Sequence, residues 1–398
     1  MNTDDMNNNM NNNMNNNMNN MNNNITPNFN SIPPKKKKSG GIANIIPYLF
    51  ILAIIVVVGM IAFPKFFFGD ENITTNNTTE PEKPTEPEKP VEPVVPKSTL
   101  KIIDTTSKTR PVGIMINCHS EALPQSGLQD AYAVYELMVE GGITRMFALF
   151  KDKDFTKVGA VRSVRAQYLG YAFENDAIII HAGASAEATD RMKYEGIANI
   201  SVDGKYGQRD KQLAKKRAWE HTLFTKWSSV KQAISDYKLR STTDVVSVLN
   251  YSATEVDLSK YTTTKQANNV SIKYSNYRTS NYYYDANKKV YLRSMNGTKN
   301  VDLVTGQRYE VKNILVYGVK YSTYCNSGYC GYVKPANIGT GEGWYITDGV
   351  ALPIKWTKKD EKSKTEYRVK ETGEELIVND GNTYFQIYPT NGGSLKIT

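Results

Sequence analysis

The chain has 398 residues, a net charge of +9, three cysteines and three histidines. Its length exceeds what one hydrophobic core usually covers, so two folded domains are expected. The histidines and cysteines lack the spacing of zinc ligands, and no glycine-rich phosphate-binding motif is present, which argues against metal and nucleotide chemistry. No metal and no cofactor are therefore predicted.

The N-terminal region has the composition of a membrane anchor. Residues 1–41 are mostly Asn and Met and end near four lysines that begin at Lys35, which predicts a disordered cytoplasmic tail. The uncharged apolar run 45–63, within segment 42–68, is long enough to cross a bilayer as one helix. Because basic residues stay in the cytoplasm, the rest of the chain is expected outside a cell membrane crossed once. A cleaved signal peptide is the competing interpretation, and no nearby cysteine offers a site for a lipid anchor.

A proline- and glutamate-rich linker occupies residues 69–99 and favours an extended polyproline II spacer. Most of the positive charge lies after this linker. A basic surface outside the cell attracts anionic polymers, whereas nucleic acid is scarce there. The expected partners are therefore an anionic cell-wall polymer or peptidoglycan, and lipid head groups. General solubility explains the charge equally well.

Residues 100–250 predict an α/β or α+β domain. Apolar runs and turn residues indicate a buried strand at 110–117, a hairpin of 131–139 with 143–150, a helix at 163–174 capped by Ser163, a strand at 177–181 and a helix at 185–195. Further helical material is expected at 217–237. A helical interpretation of 131–140 remains open.

Residues 263–398 predict a mainly antiparallel β domain. Hairpin signals occur around residues 285–288, Asn296-Gly297, Thr305-Gly306 and 379–382. Cys325 and Cys330 flank a short loop and are expected to form a disulfide in an oxidising location, with two unpaired thiols as the alternative.

Polar residues gather where the predicted strands end and helices begin: Asn117, Arg162, Ser163, Arg165 and His181. With Arg145, which is nearby in the pattern, they are the candidate binding residues. If the strands are parallel neighbours, these residues converge at one sheet edge. Two guanidiniums beside a helix start would form an anion pocket. The alternative is that the arginines pair with Glu136 and Glu140 and only hold the fold together.

Two other chemistries are possible in the same region. Glu136 and Glu140 are four residues apart, so one could serve as acid and the other as base in glycan cleavage, with His181 nearby. Cys118 beside His119 invites a thiolate nucleophile. A lone cysteine at a strand end is more often a small buried apolar residue.

The order of these motifs resembles the YerB-like family of bacterial lipoproteins. The likeness rests on the blocks 110–117, 124–128, 134–136, Glu-Gly-Gly-Ile-Thr-Arg at 140–145, 159–165 and 181–183, and on later blocks near 296–306, 354–356 and 381–383. It covers residues 100–398. The resemblance implies an N-terminal α/β domain and a β-rich C-terminal domain on the outer face of a membrane, but no activity. Here a spanning helix replaces the family's lipidated cysteine.

Three hypotheses follow. The leading one is a cell-envelope protein that binds an anionic wall component through the arginines. The second is a wall hydrolase or transferase that uses Glu136 or Glu140. The third is a scaffold for a membrane protein partner.

Overall fold

Strands dominate the computed structural model, which describes residues 99–398. The predicted tail, the apolar run 45–63 and the linker up to residue 98 lie outside these residues. Within residues 99–398 no helix is long and apolar enough to cross a bilayer.

The first half of the described chain contains short strands and three α-helices. The strands are β1 Val112–Asn117, β2 Ala133–Met138, β3 Thr144–Phe150, β4 Val158–Gly159, β5 Ile178–His181, β6 Asn199–Ser201, β7 Gln208–Arg209, β8 Leu223–Thr225 and β9 Asn250–Ser252. The helices are α1 Leu169–Glu174, α2 Ala186–Tyr194 and α3 Trp227–Asp236. Helix α2 occupies most of the predicted segment 185–195, and the Ser185 hydroxyl caps it by accepting a hydrogen bond from the Ala188 amide.

The second half consists of strands and is mainly antiparallel. They are β10 Lys265–Gln266, β11 Asn269–Lys273, β12 Thr279–Asp285, β13 Val290–Met295, β14 Thr298–Lys299, β15 Glu310–Val311, β16 Asn313–Val319, β17 Tyr321–Asn326, β18 Tyr329–Pro335, β19 Gly339–Thr347, β20 Val350–Lys358, β21 Glu366–Val369, β22 Ile377–Asn379, β23 Thr383–Pro389 and β24 Ser394–Ile397.

One eleven-stranded sheet joins the two halves. Its order is β10-β20-β19-β16-β23-β2-β3-β1-β5-β6, with β21 beside β20. Strand β23 lies between β2 and β16 and is parallel to both. Strands predicted for two separate segments therefore share one hydrogen-bonded sheet.

Side chains alternate between two apolar layers on this sheet. In β1, Met115 belongs to one buried cluster, and Ile114 and Ile116 belong to the other. In β3, Phe147 and Met146 divide in the same way. Both faces of the central sheet are thus covered, which explains the continuous apolar runs in its strands.

Local signals found most hairpins correctly. Strands β2 and β3 are antiparallel around the Glu140–Gly142 turn, where Gly141 and Gly142 both have φ of 70°. The helical interpretation of residues 131–140 was therefore wrong. Strands β12 and β13 also form the expected hairpin, and Asn296-Gly297 connects β13 to β14 with both φ angles positive.

Two other local predictions were wrong. The helix expected from Ser163 begins only at Leu169, after a 3-10 turn at Ala166–Tyr168. Its supposed first amide, that of Val164, instead donates to the Gly183 carbonyl at 3.1 Å, which keeps this segment extended. The strands around residues 379–382 form no hairpin with each other, because β22 pairs with β9 and β23 enters the central sheet.

Candidate anion-binding site

Three predicted site residues lie at one edge of the central sheet. Asn117 ends β1 and faces Arg145 of β3 in the antiparallel register. His181 ends β5, which is parallel to β1. The condition that the strands be parallel neighbours is therefore met, and the carboxyl ends of β1 and β5 reach the same edge.

Arg145 is a buried cation without a carboxylate partner among the described residues. The residue is 6% exposed, and Nη1 donates to the Ser163 carbonyl oxygen at 2.7 Å. Its Nε is buried and has no hydrogen-bond acceptor within residues 99–398. Burial, and then the nearby Arg165, lower the pKa of Arg145 to about 9. The guanidinium is still charged at neutral pH, so the site favours an incoming anion.

Two further guanidiniums adjoin Arg145. Arg165 Nε donates to Glu140 Oε1 at 2.5 Å, whereas Arg162 Nη2 lies 3.9 Å from Glu220 Oε1. Burial chiefly, with the nearby Arg165 and Arg209, lowers the pKa of Arg162. Three cations therefore face two carboxylates. We call Arg145, Arg162 and Arg165 the arginine cluster.

The two glutamates predicted as acid and base belong to different ion pairs. Glu136 is fully buried and accepts hydrogen bonds from Thr144 at 2.7 Å, Ser280 at 3.1 Å and Arg293 at 2.8 Å. Glu140 lies beyond the end of β2, where the alternation that would place it on Glu136's face no longer applies. The sequence suggested ion pairs between the arginines and these two glutamates. Of these, only the pair of Arg165 with Glu140 is observed.

His181 and Ser163 serve the fold around the cluster. Ring atom Nδ1 of His181 lies 2.9 Å from the Gly183 carbonyl, and Nε2 lies 3.2 Å from Asn199 Oδ1. Burial lowers the pKa of His181, although these two contacts oppose the change. Ser163 contributes its carbonyl oxygen to Arg145 rather than capping a helix.

The cysteines divide into a bonded pair and a buried thiol. Cys325 and Cys330 face each other in the β17–β18 ladder and form a disulfide. Cys118 is fully buried, and burial followed by the Glu136 charge raises its pKa to about 11. A thiolate nucleophile at Cys118 is disfavoured at neutral pH.

The fold also brings together residues that the sequence analysis did not combine. Ligand-type atoms of His119, Glu121 and His221 lie within 4.8 Å of one another, and the two imidazoles stack with centroids 4.8 Å apart. Around a tetrahedral zinc ion, such atoms would be about 3.3 Å apart. His221 is more than a hundred positions from His119, so no chain spacing signals the pair.

Asn117 determines which nitrogen of His221 carries the proton beside His119 and Glu121. Its Oδ1 accepts from the His119 amide at 2.9 Å, so its Nδ2 faces His221 Nδ1 at 2.8 Å and donates to it. A neutral His221 then carries its proton on Nε2, which lies 3.7 Å from a Glu121 oxygen. A metal bound at Nε2 would need the lone pair that this tautomer lacks. The arrangement fits a hydrogen-bond network better than a metal site.

Comparisons with known proteins agree with this architecture. Residues 98–240 match the N-terminal domain, and residues 270–385 the C-terminal domain, of a family described as "Protein of unknown function (DUF3048)". These matches define a class of two-domain proteins without an assigned activity. A Bacillus subtilis (strain 168) protein named "Putative lipoprotein YerB" is 30% identical over 233 residues, which cover 56% of this chain and 66% of that relative. This chain belongs to the YerB-like family, as its motifs indicated.

A solved structure has the same fold. The crystal structure of the YerB protein from Bacillus subtilis matches with a TM-score of 0.63 and 23% identity. The match covers 75% of this chain and 99% of the other.

Proposed function

We propose that this chain is a membrane-anchored, extracytoplasmic cell-envelope protein that binds an anionic wall component, peptidoglycan or a wall glycopolymer, through the arginine cluster. The binding residues are Arg145, Arg162 and Arg165. Asn117, Ser163 and His181 position the surrounding backbone and rings.

The proposed location is supported by the apolar run 45–63 with lysines on its N-terminal side. The Bacillus subtilis relative is named as a lipoprotein. We propose that the spanning helix gives this chain a comparable attachment, with the N-terminus cytoplasmic and residues 100–398 outside.

The observation that carries the binding proposal is the environment of Arg145. Burying a guanidinium with an unsatisfied Nε and two like charges nearby costs free energy unless an anion binds to it. Phosphate and carboxylate groups both match the forked geometry of arginine.

The catalytic alternative has weaker support. Glu136 has no exposed surface and is neutralised by Arg293, so it has no path to a polymer. Glu140 is partly buried and already accepts a hydrogen bond from Arg165. A carboxylate that acts on a glycan must reach the glycosidic oxygen.

The test uses the full chain in detergent with isolated cell walls, before and after removal of their anionic polymers. Sedimented protein and released reducing ends or muropeptides are both measured. We expect retention without release, and its loss in Arg162→Ala or on stripped walls. Arg240→Ala is the matched control, because Arg240 is an exposed arginine paired with Asp176.

Each other outcome overturns the proposal. Release that disappears in Glu140→Gln would establish catalysis. If the walls neither retain the protein nor release fragments, a membrane protein partner would be indicated instead.

A further inference from the structure

A second basic site lies in a surface cavity of about 580 Å³ beside β7, β8 and the start of α3. Five cationic side chains line it, Lys157, Lys205, Arg209, Lys211 and Lys226, against the single carboxylate of Asp210. Such an excess of one sign in a concave surface concentrates its electric field and attracts anions.

Three of the five cations are already paired. Lys157 lies 2.7 Å from Asp210, while Lys205 and Arg209 contact aspartates outside the cavity wall. The ammonium groups of Lys211 and Lys226 contact no carboxylate within residues 99–398. These two lysines are therefore free to bind a ligand. The charges of the three paired cations are partly neutralised by their aspartates.

An exposed aromatic ring stands next to the cavity. Trp219 is 64% exposed, and the Arg209 guanidinium lies 4.0 Å from its ring centroid. Arg209 Nη1 also donates to the Trp219 carbonyl oxygen at 2.6 Å, which fixes the pair. An exposed indole held in this way offers an apolar platform on which a sugar ring can stack.

The cavity and the arginine cluster are contiguous. Glu220 follows Trp219 in the chain and faces Arg162 of the cluster. Arg209 of the cavity is also close enough to Arg162 to lower its pKa, after the larger effect of burial. A basic surface thus runs from the arginine cluster past Trp219 into the cavity.

We infer that this cavity is a second binding site, which takes the phosphate groups of a sugar-bearing polyol phosphate polymer. Lys211 and Lys226 bind phosphate, and Trp219 stacks on an attached sugar. Lysine is a compact point charge that binds a phosphate oxygen without the planar fork of arginine. The inference extends the proposed function, because it names the polymer class and adds a site that a long chain would reach together with the arginine cluster.

The experiment measures affinity of the full chain in detergent for synthetic glycerol phosphate oligomers by calorimetry at low salt. Polygalacturonate of equal charge is the carboxylate probe. We expect the double variant Lys211→Ala/Lys226→Ala to bind the phosphate oligomer about fivefold to tenfold more weakly, as two exposed ion pairs would give. Lys299→Ala/Lys320→Ala is the matched control, because both lysines are exposed, lie away from the cavity and should leave affinity unchanged.

Trp219 is tested with two phosphate oligomers, one bare and one carrying sugars. Trp219→Ala should weaken binding of the sugar-bearing oligomer only. Equal losses for both oligomers, or none for either, would overturn the sugar platform.

The outcomes separate this inference from the proposed function. Loss in Arg162→Ala with unchanged affinity in the lysine double variant would overturn the second site and leave the arginine cluster standing. The reverse pattern would overturn the arginine cluster and leave the cavity. Equal or tighter binding of polygalacturonate would overturn the phosphate assignment. No binding of either polymer would overturn the second site, whereas retention on isolated walls decides the proposed function.

Discussion

Arg293 Nη2 lies 2.8 Å from Glu136 Oε2, and both side chains are completely shielded from solvent. This ion pair connects β2 in the first half of the chain with β13 in the second. Burial alone disfavours charge on Arg293, yet the facing carboxylate raises the pKa of Arg293 above its ordinary value. The pair is therefore expected to be ionised and structural.

Removing one partner of this pair should be strongly destabilising. Glu136→Gln leaves a buried guanidinium without its counter-charge, and breaking such a pair costs about 3 to 5 kcal/mol. Urea unfolding of the full chain in detergent would measure this loss. The control is Glu342→Gln, whose exposed pair with Lys370 should contribute nothing measurable. Unchanged stability in Glu136→Gln with lost turnover would return Glu136 to a catalytic role.

Glu140 and Arg165 should have opposite effects on anion binding. Glu140 neutralises Arg165 in the free protein, so Glu140→Gln should tighten binding of the phosphate oligomer severalfold, whereas Arg165→Ala should weaken it. Titration calorimetry at constant salt compares the two. Glu195→Gln, which breaks the pair with Arg191, is the control and should change nothing. Weaker binding in Glu140→Gln would contradict the assignment.

Asn117 should decide whether the histidine pair accepts zinc. In the natural sequence the Asn117 amide donates to His221 Nδ1, so we expect no stoichiometric zinc binding. The carboxylate of Asn117→Asp would accept a hydrogen bond from a protonated Nδ1 instead and leave the Nε2 lone pair for a metal shared with His119 and Glu121.

Zinc calorimetry on both proteins, with Asn117→Asp/His119→Ala as the control, tests this expectation. Tight binding to the unmodified chain would refute it. Nitrogen NMR of the imidazoles would show the tautomer independently of any metal.

Acid should destabilise the protein through His181. Its pKa is lowered by burial, so the unfolded chain binds a proton more readily than the folded one. The stabilising contribution is present above the unfolded pKa near 6.5 and is lost as the pH falls below it towards the folded value.

Urea unfolding between pH 8 and pH 5 should show this loss, and His181→Gln should make the slope shallower. The pKa of His221 is also lowered, by burial and by His119. The double variant His181→Gln/His221→Gln should therefore flatten the slope further. An unchanged slope in both variants would contradict the assignment.

Patterns within a few residues predicted the local elements well. The apolar run of β1, the glycines of the β2–β3 turn and the helix that begins after Ser185 each depend on neighbours in sequence. The supposed helix at Ser163 failed because the amide and carbonyl of Val164 pair with Gly183 and Ser185, which are distant in the chain.

The site was predicted only in part for the same reason. The ends of β1 and β5, where Asn117 and His181 lie, were located from local patterns. The partner of Glu136 was not predicted, because Arg293 is 157 residues away in the chain. His221 was likewise brought to His119 by tertiary packing alone.

The position of β23 sets an order of assembly. During synthesis β2 emerges early and β16 much later, yet both must wait for residues 383–389, which pair with each of them. Until then two long strand edges are open to neighbouring chains, and non-local pairing of this kind is slow. The N-terminal half is therefore unfinished when it leaves the ribosome. A chaperone that shields β2 would protect the nascent chain until its last strands arrive.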